Sequence, residues 1–231
     1  PEFYTRFLNM LINDAIYLLD EAMKKLPEVR QTETDMQDQA AWEARPQQER
    51  EERESEFRQT RRHLRSNLTL AMVHVRMMAY TSCDIAHPFL RPEMVERVAA
   101  MLNYFLLFLA GPERRKLKIK NPEKYGWEPK ELLGMITDIY VQIYAADKDK
   151  AFIAAIAADG RSYRDEVMLE AAAIARGLQL RSERRVAAFE KLAADARTRA
   201  SEDEEEETDL GDIPDEFLDP IYCTLMRDPV K

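Results

Sequence analysis

Pro92-Glu-Met-Val-Glu-Arg-Val-Ala-Ala-Met-Leu-Asn-Tyr-Phe-Leu-Leu-Phe-Leu-Ala-Gly-Pro112 places Met94, Val95, Val98, Met101, Leu102, Phe105, Leu106 and Leu109 three and four residues apart. That spacing is the signature of a helix with a wide apolar stripe turned toward a core. Pro92 suits the first helical turn, where a missing N–H costs nothing, and Gly111-Pro112 is a strong stop signal. The stretch therefore predicts one complete, well-bounded, core-facing helix.

The same grammar repeats outward from it. Downstream, Asn121-Pro-Glu-Lys-Tyr-Gly-Trp-Glu-Pro129 reads as a structured loop whose Tyr125 and Trp127 plug into the core. Pro129 opens a helix with Leu132, Leu133, Ile136, Ile139, Tyr140 and Ile143 on one side. A short apolar helix over about 150–158 is closed by Asp159-Gly160. Ser162 and Asp165 stand at capping-box spacing for a helix reaching Arg176 and ended by Gly177. Ser182 caps a last helix through about Ala200. Upstream, 82–91 reads as a loop, preceded by a helix from Pro46 to about Tyr80. Its first half is charged all round, and its second half carries Leu64, Leu68, Met72, Val75 and Met78 or Ala79. A first helix over 2–26 ends near Pro27, and the polar segment 28–43 either follows separately or continues it after a kink. Successive helices with short connections predict an antiparallel or solenoid-like stack, although no clean repeat period is present.

Composition agrees with an all-α protein. Glu, Ala, Leu, Arg and Met abound, there are only six Gly in 231 residues, and hydrophobic residues make up 45%. Five of the six glycines fall at expected breaks. No apolar run approaches the roughly 18–20 residues of a membrane span, so no membrane partner is expected. Cys83 and Cys223 are far apart, and His63, His74 and His87 form no pair at ligand spacing, so no metal site is expected. The net charge of −9 is concentrated: residues 202–219 hold eleven acids and no Lys or Arg. The remaining 32 acids against 34 Lys and Arg leave the helical body at +2. Arg58, Arg61, Arg62 and Arg65 follow Glu49, Glu51, Glu52, Glu54 and Glu56, which describes an exposed face of opposite charges rather than a phosphate-tracking surface. No nucleic-acid partner is expected.

After Ala200 the composition changes abruptly. Ser201 to Asp212 is acidic and nearly devoid of apolar groups, and predicts a flexible, self-repelling linker. An acidic tail that binds basic proteins is the alternative. Apolar residues return in Ile213-Pro-Asp-Glu-Phe-Leu-Asp-Pro-Ile-Tyr-Cys-Thr-Leu-Met-Arg-Asp-Pro-Val230, where two Asp-Pro turns bracket an apolar stretch. Physics alone reads this as the loop-rich opening of a small domain. Both ends of the chain read as cut, since Pro1 opens inside a helical stripe and Lys231 follows the start of a new element.

The 213–230 stretch closely resembles the first turn of a U-box, in particular that of the fourth-class ("E-four") ubiquitin conjugation factors, the chain-elongation family. Pro88 to Tyr104, Asn121 to Lys130 and Asp159-Gly-Arg-Ser-Tyr163 resemble that family's core, in the same order. Residues 28–62 and 181–212 match only in character. The resemblance implies an elongated armadillo-like helical repeat stack over 1–200, the acidic linker over 201–212, and the incomplete start of a U-box over 213–231. A U-box resembles a RING domain without zinc, so no cofactor or metal is implied. It recruits a ubiquitin-conjugating enzyme charged with ubiquitin and favours transfer to a substrate or ubiquitin lysine. The catalytic cysteine belongs to the conjugating enzyme, and no catalytic residue is expected in this chain.

Carried over residue by residue, Ile221 matches the apolar position of the first U-box loop that touches the conjugating enzyme, with Tyr222 and Cys223 in the same loop. Cys223 departs from the bulkier side chain of some U-boxes. Leu225, Met226, Pro229 and Val230 match fold-building positions, Leu218 fits either set, and a core role is the alternative for Ile221. The implied partners are the charged conjugating enzyme, ubiquitin or a ubiquitylated substrate, the hexameric ATPase that unfolds ubiquitylated proteins, and proteasome shuttle factors. The implied compartments are cytoplasm and nucleus. The parent protein would be a ubiquitin transferase without a covalent ubiquitin intermediate, and residues 1–231 alone would be inactive. The alternative is a non-catalytic helical adaptor with a terminal linear motif.

Overall fold

The computed structural model describes residues 2–209. Among them lie α1 (Glu2–Gln37), α2 (Gln39–Glu43), α3 (Gln47–Asp84), α4 (Pro92–Ala110), α5 (Pro129–Ala146), α6 (Ala151–Ala158), α7 (Asp165–Gly177) and α8 (Glu183–Asp209). Three 3-10 turns, His87–Leu90, Pro112–Leu117 and Pro122–Tyr125, flank α4. The described residues contain no strand, so this part of the chain is all-α.

Helices α4 and α5 form the centre. Eleven of the nineteen residues of α4 and nine of the eighteen of α5 are buried, more than one packed face supplies. On one side α1 and α3 form a long antiparallel hairpin, with α1 against α4 and α3 against α5. His74 meets Asp14 at 3.4 Å near one end of the hairpin, and Arg53 meets Asp35 at 4.0 Å toward the other. On the other side α6 and α7 pack on α4, and α8 lies across α5, α6 and α7. Charges on the outer half of α3 pair along its own turns, as Arg53 with Glu49 and Arg58 with Glu54. Tyr125 and Trp127 are buried, as their loop predicted.

Pro27 does not end the first helix. It lies inside α1, which runs to Gln37. Proline removes one backbone donor, a penalty of about 3 kcal/mol in a free helix. Here Met23, Leu26 and Val29 are buried on both sides of it in one seam with α3, and that packing holds the helix through the interruption. Helix α3 likewise outruns its expected end. Ser82, read as loop, is buried in its last turns, and its hydroxyl donates to Gln142 of α5 at 2.6 Å. Pro46 stands just before α3 rather than in its first turn.

Ser162 does not cap α7. The residue preceding that helix is Arg164, in an extended conformation and without a side-chain cap bond. Asp159 organises this turn instead. One carboxylate oxygen accepts from the N–H groups of Arg161 and Ser162, both at 3.3 Å, and the other accepts from the Asn103 amide at 3.0 Å. The acidic stretch expected to be flexible from Ser201 is helical through Asp209. A helix already nucleated by packed residues extends at little cost, Glu is a good helix former, and Arg199 pairs with Asp203 at 2.8 Å.

One buried polar network joins the central helices. The Tyr140 hydroxyl of α5 donates to Asn103 Oδ1 of α4 at 2.6 Å. The Asn103 amide donates to the Ile156 carbonyl of α6 at 3.2 Å and to Asp159. Asn103→Leu should therefore destabilise the chain by about 2–4 kcal/mol, because each orphaned buried group costs about 1–3 kcal/mol. Tyr140→Phe should cost about 1 kcal/mol, and the double variant should lose less than the sum in urea unfolding. Strict additivity would show that the two groups do not act as one network.

Candidate functional site

The candidate contact residues Leu218, Ile221, Tyr222 and Cys223 lie outside the described residues, as do the fold-building positions Leu225, Met226, Pro229 and Val230. The structure does describe the helix that leads to them. Val186, Phe189, Leu192, Ala193 and Ala196 recur at helical spacing on the buried face of α8. Phe189 meets the Tyr140 ring edge-on with centroids 5.6 Å apart, and the Tyr144 hydroxyl of α5 donates to Asp195. Arg176 of α7 reaches across to Glu183 at 2.8 Å and to Glu190. Glu190 is held below its usual carboxylate range by that guanidinium. The α7–α8 turn closes through Leu180 N–H donating to the Ala175 carbonyl at 2.9 Å. Its left-handed position is Gln179 rather than Gly177, which ends α7 itself.

A charged clamp fixes the root of α8. The Asp138 carboxylate of α5 accepts from Arg181 Nε at 2.6 Å and from Arg185. Its side chain is only 14% exposed, which makes the clamp stronger than a solvated pair. Gly134, one turn earlier on α5, leaves the space that the Arg181 guanidinium fills. A Cβ there would stand 2.5 Å from Arg181 Nη1. Gly134 is the one glycine inside a core stripe of the sequence, and that anomaly was the available signal for the clamp.

Three tyrosine–carboxylate bonds tie neighbouring elements: Tyr104 to Asp20 at 2.8 Å, Tyr125 to Glu33, and Tyr144 to Asp195. Burial first, and the carboxylate acceptor second, push Tyr104 and Tyr144 up to about 12. Burial also raises Tyr163 to about 12, and its buried hydroxyl has no hydrogen-bond partner. Asp20 is held low by Lys24 and by the Tyr104 hydroxyl. Among the described residues no cluster of three or more His, Cys, Asp or Glu could hold a metal ion, and no helix is long and apolar enough to cross a membrane. Cys83 is exposed. What this arrangement does is position one element against another.

Fold and sequence together define a helical scaffold whose last described helix, α8, is followed in sequence by the start of a small domain. The chain belongs to the ubiquitin elongating factor family: the profile of the ubiquitin elongating factor core matches residues 1–197, and that of the U-box domain matches residues 213–231. It is 49% identical over 98% of its length to the probable ubiquitin conjugation factor E4 of Arabidopsis thaliana. It is 36% identical over 99% to the E4 ubiquitin-protein ligase UFD2 of Saccharomyces cerevisiae, and 32% identical over 100% to ubiquitin conjugation factor E4 A of Rattus norvegicus. These alignments cover 22%, 24% and 21% of the respective relatives, so the chain spans less than a quarter of their length.

The tyrosine ties make alkaline stability a test of the packing. Each raised tyrosine favours the folded state as long as it stays protonated. That contribution is complete below the unfolded value near 10 and is lost as pH rises toward about 12. The melting temperature should therefore fall steeply between pH 10 and 12, and less steeply in Tyr104→Phe/Tyr144→Phe. An identical pH profile in the variant would contradict the role given to these two bonds.

Proposed function

We propose that the protein containing this chain is a ubiquitin chain-elongation ligase, in which the helical core is the platform and the U-box recruits a charged ubiquitin-conjugating enzyme. The observation that carries this reading is the succession, within one chain, of an elongating-factor core over 1–197 and a U-box start at 213. The name of the yeast relative, an E4 ubiquitin-protein ligase, supports it. On this reading the protein supplies no nucleophile. It holds the conjugating enzyme so that a lysine of ubiquitin or substrate attacks the thioester carbonyl, and the thiolate of the conjugating enzyme leaves.

Within the U-box, Ile221 is the side chain assigned to the conjugating enzyme, with Leu218, Tyr222 and Cys223 beside it. Leu225, Met226, Pro229 and Val230 are assigned to the fold. The family resemblance extends the proposal to the hexameric unfolding ATPase and proteasome shuttle factors as partners, and to cytoplasm and nucleus as compartments.

The deciding experiment is single-turnover release of ubiquitin from a charged conjugating enzyme by the full-length natural polypeptide, wild type against Ile221→Ala. Stimulated release by the wild type and loss in the variant, with melting unchanged, is the expected result. A buried Ile would instead cost roughly 2–5 kcal/mol on truncation, visible as a lower melting temperature. No stimulation with any of several conjugating enzymes would return the protein to the helical-adaptor class.

A further inference from the structure

A cavity of about 630 Å³ opens between the Pro112–Leu117 turn, the loop before α5 and the C-terminal end of α7. Its floor is apolar: Leu117, Trp127 and Leu133 are buried there, and Ile174 is half-buried. Leu178 sits at the mouth, 48% exposed. The charged side chains lining it are all cationic, namely Arg114, Lys118 and Lys130, and no acid lines it. Arg114 pairs with Glu170 at 3.0 Å, whereas among the described residues no ion pair reaches Lys118 or Lys130. An apolar floor beneath a cationic rim, in a chain of net charge −9, is complementary to apolar side chains flanked by acids.

We propose that this groove binds an acidic peptide of a partner protein, seating its apolar side chains on the half-buried Ile119 and Ile174 and the exposed Leu178, and its carboxylates on Lys118 and Lys130. The chain has a segment of suitable chemistry in Asp212 to Asp219, where Ile213, Phe217 and Leu218 alternate with acids. Its own copy cannot deliver that segment. The short turn after Gly177 starts α8 at the groove end of α7 and folds it back antiparallel, so Asp209 lies about 39 Å along α8 from Glu183. From Asp209 to Phe217 an extended chain spans at most about 29 Å. That segment of the same copy is therefore not the occupant, and the proposal commits to a partner polypeptide. The inference concerns the core alone and stands or falls apart from the U-box reading.

The test uses short fluorescein-labelled peptides in which a Phe-Leu pair is flanked by Asp and Glu, and counterparts with Lys at every acidic position. Anisotropy titration of the chain should show binding of the acidic peptides, at least about ten-fold weaker binding of the Lys counterparts, and weakening by salt. Lys118→Glu/Lys130→Glu should lower acidic-peptide affinity about ten-fold or more with melting unchanged, both side chains being exposed. Leu178→Asp should weaken binding in the same way. Equal binding of both peptide sets, or unaltered affinity in the Lys118→Glu/Lys130→Glu variant, overturns the proposal. So does a dimer of the chain in sedimentation that the same variant disperses, which would put a second copy in the groove. Loss of peptide binding in the full-length natural polypeptide would assign the groove to another part of that polypeptide and equally overturn it.

Discussion

Asn103 is one side chain, yet the two central helices, the short helix α6 and the Asp159 turn all meet on its amide. A buried amide with four hydrogen-bonding sites is costly to leave unmatched, so this position admits few arrangements of the elements around it. Tyr140, oriented by that amide, presents its ring to Phe189 of α8. Tyr144, one turn beyond Tyr140 on α5, and Asp138, two residues before it, then fix α8 by a hydroxyl–carboxylate bond and the arginine clamp. The position of the last helix is thus a consequence of polar contacts made in the middle of the stack. Apolar burial supplies most of the stabilisation, but it is tolerant of small slides between helices, and the hydrogen bonds are not.

Local signals in the sequence were enough for most of the fold. Prolines at helix starts, Gly111-Pro112 as a stop, and the stripes of α4 and α5 place the central pair correctly, and Tyr125 and Trp127 of the 121–129 loop are buried as their setting predicts. The failures share one physical cause. Pro27, Ser82 and Ser162 were read by their local preferences, whereas their conformations are decided by α3, by Gln142 and by Asp159. The same holds for Asn103 and Asp138, whose partners lie 37 to 56 residues away and leave no trace in periodicity. The acidic stretch after Ala200 failed for a different reason, since composition describes an isolated segment and not the extension of a helix already nucleated. The candidate enzyme-contact residues were legible only through resemblance, because nothing in Ile221 or Tyr222 by itself distinguishes a docking side chain from a core one.

The resulting picture separates two tasks. The helical core makes many bonds between its elements, among them the Asn103 network, the Asp138 clamp and the three tyrosine–carboxylate ties. On the proposed function, chemistry belongs to the conjugating enzyme, and this chain contributes the distance and orientation between that enzyme and the growing ubiquitin chain. A continuous α8 matters for that task, because a helix transmits orientation and a flexible acidic linker would not.

On the proposed function a helical α8 is needed for chain elongation, and breaking the helix beyond its packed face probes that need. Glu204→Gly/Glu205→Gly in the full-length natural polypeptide lowers helix propensity by about 1 kcal/mol per site, beyond the buried face that ends at Ala196. Elongation of a ubiquitin chain on a pre-ubiquitylated substrate would be measured beside simple release of ubiquitin from the charged conjugating enzyme. Elongation should fall several-fold while release is unchanged. Undiminished elongation would contradict that need and make α8 a mere tether.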